Sequence, residues 1–215
     1  MRRDRVDAAR MYLVLDIAAE AVLRPALEGG VQMVQLRDKD ADDDALLAAG
    51  GRFRAACREH DALFWVNDRP DLALELDADG VHVGQDDAPL AAVRRQAPGL
   101  LVGTSTHTPA QLEQAIRDGA DQISVGPVWE TPTKAGRPAT GLGFVRHAAR
   151  AAAGSPWFAI GGIDARNIKE VARAGAERVV VMRALTEASD PRAAAMALLR
   201  ALEAPRPSTR LTSGS

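Results

Sequence analysis

Eight short apolar runs of strand type recur along this 215-residue chain, spaced by about 20 to 30 residues, with helix-like segments between them. The runs are MYLVLD (11–16), VQMVQLR (31–37), LFWVN (63–67), GVHVG (80–84), LVGTS (101–105), QISVG (122–126), WFAIGG (157–162) and RVVVM (178–182). Intervening segments such as DDDALLAAGGRFRAACREH and PAQLEQAIRDGA put apolar residues on one helical face, and several close on glycine, as helix C-termini do. The tracts EGGVQMVQL, DADGVHV, DGADQISV and AGAERVVV share one design, a helix end followed at once by a strand. Eight β–α repeats in a chain of this length predict an α/β fold, a single-domain (β/α)8 TIM barrel. A doubly wound dinucleotide-binding sheet fits poorly, because MYLVLDIAAE contains no GxGxxG turn. The barrel is expected over residues 11–203, after an N-terminal extension (1–10) and before a flexible Pro/Ser/Thr-rich tail (204–215).

Charge narrows the function. With 27 basic and 29 acidic residues the net charge is −2, which argues against a general binder of nucleic acid or anionic membrane. No run approaches the ~18 apolar residues of a membrane span, and MRRDRVDAAR lacks the apolar core of a signal peptide. A cytoplasmic location is expected. The single cysteine, Cys57, permits no internal disulfide and falls in a helix-like run, so a buried structural thiol is expected. The 27 basic residues include only three lysines, Lys39, Lys134 and Lys169, and the rest are arginine. A lysine in such a chain is mildly informative, because the two cations differ in geometry and in the ease with which their pKa moves.

In a barrel, function gathers at the mouth formed by the C-terminal ends of the strands. The residues just beyond each run are mostly polar. The first run ends at Asp16 and the second leads into Gln35, Arg37 and Lys39. The third ends at Asn67 and Asp68, and the fourth is followed by Gln85, Asp86 and Asp87. The fifth delivers Ser105 and His107. The sixth opens a long loop with Thr131, Thr133 and Lys134, a candidate lid. The last two end in Gly161-Gly162 and Met182-Arg183.

Each feature has two readings. Asp68 and Asp87 emerge from neighbouring strands, and paired carboxylates suit a hard cation such as Mg²⁺; either acid alone also suits a helix cap. Gln35, Arg37 and Lys39 alternate onto one side and suit a diphosphate, or form an ordinary charged strand end. Gly161-Gly162 suits a phosphate approaching backbone N–H groups, or a tight turn. Asp71, Asp77 and Asp79 are read as caps and turns, Lys169, His60 and His147 as helix-surface positions, and His82 as a satisfied interior group. His107 is a candidate for direct chemistry. No nucleophile–base triad and no Walker loop is present.

Together the tracts YLVLD, QLRDK, NDRPDLALELDADGVHVGQDD, GTSTH, GADQISVGPVWETPTK, IGGI and GAERVVVMRAL resemble the thiamine-phosphate synthase family, in family order, to about residue 185. The resemblance implies a (β/α)8 transferase that joins 4-amino-5-hydroxymethyl-2-methylpyrimidine diphosphate to a thiazole phosphate, or its carboxylated form, and releases pyrophosphate. It implies that Gln35, Arg37, Lys39, Asn67, Ser105 and Lys134 hold the pyrimidine diphosphate, and that Asp68 and Asp87 bind Mg²⁺. Thr131, Thr133, Gly162 and the Met182-Arg183 turn would hold the thiazole phosphate, and Arg37, Lys39, Ser105 and Lys134 would serve catalysis. It also implies a homodimer. Two positions depart from the pattern: Met182-Arg183 stands where a Val-Ser or Ile-Ser pair is frequent, and Ala159 where glycine is common. A thiazole tautomerase-like isomerase and a non-catalytic ligand-binding barrel are the alternatives.

Overall fold

The computed structural model describes residues 2–131 and 138–203. Eight strands form a closed parallel barrel in sequence order: β1 (Met11–Leu15), β2 (Met33–Leu36), β3 (Leu63–Asn67), β4 (Gly80–Val83), β5 (Leu101–Thr106), β6 (Gln122–Val125), β7 (Trp157–Ile160) and β8 (Val179–Val181). Closure is made where β8 pairs with β1, Met11 opposite Val179 and Leu13 opposite Val181. The expected α/β barrel is the fold observed.

The helices are α1 (Arg2–Ala8), α2 (Leu23–Glu28), α3 (Asp43–Glu59), α4 (Pro70–Glu75), α5 (Leu90–Gln96), α6 (Pro109–Arg117), α7 (Gly141–Ala151), α8 (Ile168–Arg173), α9 (Arg183–Thr186) and α10 (Pro191–Glu203). The segment AAEAVLRPALEGG, read as one helix, is instead a 3-10 turn at Glu20–Val22 followed by α2. Pro25 lies in the first turn of α2, where its missing N–H breaks no helical bond.

The repeated helix-to-strand tracts share a single backbone solution. The N–H groups of Val31, Ala62, Ala78, Ala120 and Ala176 each reach back five residues, to the carbonyls of Ala26, Cys57, Ala73, Ala115 and Val171. The residue before each donor has a positive φ: Gly30, Asp61, Asp77, Gly119 and Gly175. This is the Schellman ending, which satisfies the last helical carbonyls while turning the chain straight into the next strand. Aspartate substitutes for glycine twice, as its short side chain permits.

Strand alternation sorts the side chains into two cores. Outward residues such as Leu13, Val34, Phe64, Val81 and Ile123 pack under the helices. Inward residues Tyr12, Met33, Leu63, Trp65, Phe158 and Val180 fill the barrel together with Val6 and Ala9 from the N-terminus. The Tyr12 ring lies 6.0 Å from those of both Trp65 and Phe158, in tilted and edge-on contacts. Trp65 needs the space left by a glycine on the next strand: a Cβ at Gly80 would come within 2.8 Å of the indole.

Residues 2–8, read from the sequence as part of an extension, form α1, which seals the end of the barrel opposite the mouth. Two buried carboxylates anchor it. Asp79, expected as a cap or turn residue, instead accepts from the Phe64 N–H at 2.9 Å and the Arg54 guanidinium at 2.9 Å, and pairs with Arg2 at 3.0 Å. Asp121 repeats the arrangement two strands on, accepting from the Val102 N–H (2.9 Å), Arg94 (2.8 Å) and Arg3 (3.0 Å). Each carboxylate finds three donors, which is what makes its burial tolerable. His147, expected on a helix surface, is half-buried with its ring stacked on Phe144. Residues 204–215, the expected tail, lie outside the described residues.

Cys57 is fully buried on α3, and burial, with the nearby Asp79 charge adding to it, pushes its thiol up to about 12. At neutral pH the thiol is protonated in the folded and unfolded chain alike. The stability tied to this shift is therefore complete below the unfolded value of ~8.5 and is lost as pH rises through about 12. A thiol reagent at pH 7 should label the native protein only at its opening or unfolding rate, and all at once in denaturant. Val6→Asp should destabilise by ~3 kcal/mol or more, because an unpaired carboxylate enters the sealed end. Arg5→Ala, which removes an exposed pair with Asp61, should cost ~1 kcal/mol or less; urea unfolding measures both.

Candidate active site

Above the aromatic layer the barrel interior turns polar. Gln35 on β2 donates through Nε2 to the Tyr12 hydroxyl at 2.6 Å, and burial pushes the Tyr12 phenol far above its ordinary pKa, so the hydroxyl stays protonated. His82 on β4 sits between two neighbours, with Nδ1 2.9 Å from Gln122 Oε1 and Nε2 2.9 Å from Ser105 Oγ. Gln122 Nε2 donates in turn to Ser124 Oγ at 3.0 Å. An amide oxygen only accepts, so His82 carries its proton on Nδ1 and takes the Ser105 hydroxyl proton at Nε2 as a hydrogen bond. His82 is a satisfied interior group, as expected, and it also orients Ser105. The arrangement leaves no room for a side chain at Gly103, whose Cβ would sit 2.6 Å from Gln122 Oε1 and 2.9 Å from His82 Nδ1.

This polar floor opens into a cavity of about 710 Å³ at the C-terminal mouth. Arg37, Lys39, Asn67, Asp68 and Asp87 line one end of it. Lys39 follows β2, where Arg37 N–H donates to the Leu15 carbonyl and carries the chain beyond the sheet. Asp68 follows β3 with φ +59, a left-handed conformation uncommon outside glycine, asparagine and aspartate. Its N–H is tied to the His82 carbonyl at 2.8 Å. Asp87 bends back to accept from the Gly84 N–H at 2.7 Å, which folds the GQDD loop over the mouth, and Gln85 Nε2 donates to the Ser105 carbonyl at 2.6 Å.

The two carboxylates meet. Burial first, and then a hydrogen bond and the negative charge of Asp87, raise the Asp68 pKa, while Lys39, 3.5 Å from Asp68 Oδ2, opposes the shift. Asp68 is half-buried, whereas Asp87 and Lys39 are exposed, and neighbouring acids of this kind are favoured by extra positive charge. Among the described residues no group of three or more His, Cys, Asp or Glu converges as a metal cage. Two carboxylates suffice for Mg²⁺, which keeps waters and takes further oxygens from a bound phosphate.

The opposite end of the cavity is built from β7 and β8. Gly161 and Gly162 have φ of +105 and +65, and a Cβ on Gly161 would lie 2.5 Å from Pro127, so this turn accepts only glycine. Asn167 Nδ2 donates to the Gly162 carbonyl at 2.7 Å, while Asp164 N–H donates to Asn167 Oδ1 at 2.9 Å. The base of the long loop after β6 is pinned to the same turn, Val128 N–H to Ile160 O and Trp129 N–H to Gly161 O. Thr131, Met182 and Arg183 line this end; Arg183 faces Glu187 at 3.8 Å.

Of the residues singled out from the sequence, Gln35, Arg37, Lys39, Asn67, Asp68, Asp87 and Ser105 thus share one cavity with Thr131, Gly162, Met182 and Arg183. Thr133 and Lys134 lie outside the described residues. His107 lines the same cavity and donates through Nδ1 to the Gly126 carbonyl. Sequence reasoning missed Tyr12, Gln122 and Ser124 in the floor and Arg166 and Asn167 at the glycine end. Tyr12 could have been found, since it alternates with Val14 and so faces inward; Arg166 sits in an ordinary helix-like run and carried no signal.

A parallel eight-stranded barrel with cations, paired carboxylates and a glycine turn around its C-terminal mouth defines the class: a (β/α)8 enzyme. The family model described as thiamine monophosphate synthase matches residues 11–185. The thiamine-phosphate synthase of Thermus thermophilus is 51% identical over 196 residues, 88% of this chain and 95% of that protein. That of Streptomyces avermitilis is 48% identical over 200 residues, covering 90% and 93%. A solved structure of thiamine phosphate pyrophosphorylase from Pyrococcus furiosus superposes with a TM-score of 0.84 at 33% identity, over 94% of this chain and 97% of that one. The chain belongs to the thiamine-phosphate synthase family, and it is a transferase.

Gly103→Ala should break the His82–Ser105 contact and lower kcat by about tenfold or more, together with a lowered Tm. Steady-state kinetics and thermal unfolding on the same preparation check it; unchanged kcat would show that Ser105 needs no orientation from His82.

Proposed function

We propose that this enzyme couples 4-amino-5-hydroxymethyl-2-methylpyrimidine diphosphate to 4-methyl-5-(2-phosphoethyl)thiazole, or its carboxylated form, to give thiamine phosphate and pyrophosphate. The observation that carries the reading is a single cavity lined at one end by Arg37, Asp87 and the 3.5 Å pair of Lys39 with Asp68, and at the other by the Gly161–Gly162 turn. One end suits a diphosphate and the other a phosphate monoester, and the cavity volume admits both substrates together.

In this proposal Arg37 and Lys39, with Lys134 of the long loop, take up the charge that grows on the departing diphosphate. Gln35, Asn67 and Ser105 hold the pyrimidine. Asp68 and Asp87 would hold Mg²⁺, which when bound neutralises diphosphate oxygens and so improves the leaving group. The methylene–oxygen bond breaks first, its electron pair leaving with pyrophosphate and the positive charge spreading into the pyrimidine ring. The thiazole nitrogen, held nearby by Thr131, Thr133, Gly162 and the Met182-Arg183 turn, then donates its lone pair to form the C–N bond. Positioning replaces a protein nucleophile, in keeping with a site rich in cations and acids. A homodimer, supported by the resemblance, and a cytoplasmic location, supported by the single unpaired cysteine, belong to the same proposal. No helix among the described residues is long and apolar enough to cross a membrane.

With both substrates and Mg²⁺ the protein should release thiamine phosphate and pyrophosphate in equal amounts, and chelation of the metal should suppress both. Arg37→Ala should lower kcat by a factor of tens, the scale of one charge-assisted contact made mainly in the transition state, ~2 kcal/mol. Isomerisation of the thiazole phosphate alone, without metal or pyrimidine, would point to a tautomerase instead; binding without turnover would point to a non-catalytic barrel.

A further inference from the structure

We propose that Arg69 is a positioning residue for divalent-metal binding, its guanidinium clamping the turn in which Asp68 presents a carboxylate to the cavity. The inference rests on the proposed role of Asp68 as a metal ligand.

Asp68 stands at φ +59. Aspartate tolerates the left-handed region better than most residues, as at Asp61 and Asp77, so what fixes this turn is the set of contacts around it. Two backbone bonds flank the turn, Asp68 N–H to the His82 carbonyl and Arg69 N–H to the Asn67 carbonyl, both 2.8 Å. The third restraint is the Arg69 side chain. Its Nη1 and Nη2 donate to the two oxygens of Asp43, the latter at 2.8 Å, while Nε and Nη2 donate to the two oxygens of Asp71 at 3.0 and 2.7 Å. Both carboxylates are engaged by two contacts each, an arrangement that only a planar guanidinium can make.

The partners matter as much as the bonds. Asp43 opens α3, directly after the loop that carries Lys39, whereas Asp71 lies in the first turn of α4, directly after Asp68. Arg69 thus ties two adjacent mouth loops together, and the contact between Lys39 and Asp68 at 3.5 Å spans the same pair of loops. Arg69 is not among the described residues that line the cavity. It acts on the site only by fixing where Asp68 stands, so its loss should loosen the metal site without removing a ligand.

The test measures Mn²⁺ binding by electron paramagnetic resonance, in the presence of inorganic pyrophosphate, on the full chain and on Asp68→Ala, Arg69→Ala and Arg69→Lys, with thermal unfolding of each. Asp68→Ala should abolish tight Mn²⁺ binding. Arg69→Ala should weaken it by about tenfold or more, the usual effect of removing a residue that orients a metal ligand, with Arg69→Lys in between. Asp43→Asn and Asp71→Asn, each removing one arm of the clamp, should show smaller losses and serve if Arg69→Ala does not fold. A lowered Tm with unchanged Mn²⁺ affinity in the Arg69 variants or, failing those, in both clamp-arm variants would reduce Arg69 to a surface tie and overturn the inference while leaving the metal reading intact. If Asp68→Ala bound Mn²⁺ like the wild type, the metal reading itself would fall, and the inference with it.

Discussion

The structure depends on closing a parallel sheet on itself. An open parallel sheet leaves two strands with unpaired backbone donors and acceptors; here the pairing of β8 with β1 removes both edges. Closure then imposes an interior that must be filled, and a barrel of eight strands is just wide enough for side chains to do so. The filling is not uniform. Aromatic and aliphatic residues, capped by α1, occupy the half away from the mouth, and amides, hydroxyls and one imidazole occupy the half beneath it.

That division links stability to function. The lower half is an ordinary core of tight packing, with Trp65 seated against Gly80 and Gly103. The upper half trades some of that packing for a hydrogen-bonded floor in which Gln35 is held by Tyr12 and Ser105 by His82. A floor whose polar groups already have partners need not reorganise when a ligand arrives. The charged groups sit one level higher, on the loops, where burial first and then the neighbouring Asp87 raise the Asp68 pKa against the pull of Lys39.

Much of this could be read along the chain. The eight runs and the helix-to-strand tracts carry the barrel, because strand alternation and Schellman endings are local properties of residues close in sequence. Arg37, Lys39, Asp68 and Asp87 were legible because each closely follows a strand, and in a parallel barrel that alone assigns them to the mouth. Other residues were not. Asp77 and Asp79 lie two positions apart in one acidic tract, yet Asp77 ends a helix at the surface, while Asp79 is buried between Arg54, Arg2 and the Phe64 N–H. Helix α1 offers Val6 as its one buried residue and so has no amphipathic pattern to read.

By itself, the sequence determined the class of fold, the order of its elements and the family, since these follow from periodicity and from motifs that stay contiguous. Only the tertiary structure decided which side chains meet: Tyr12 with Gln35, His82 with Ser105, Asp68 with Asp87, and Arg69 with Asp43. Each of those contacts joins residues from different β–α units. Their distances are set by barrel closure and strand register, which no local stretch of chain encodes.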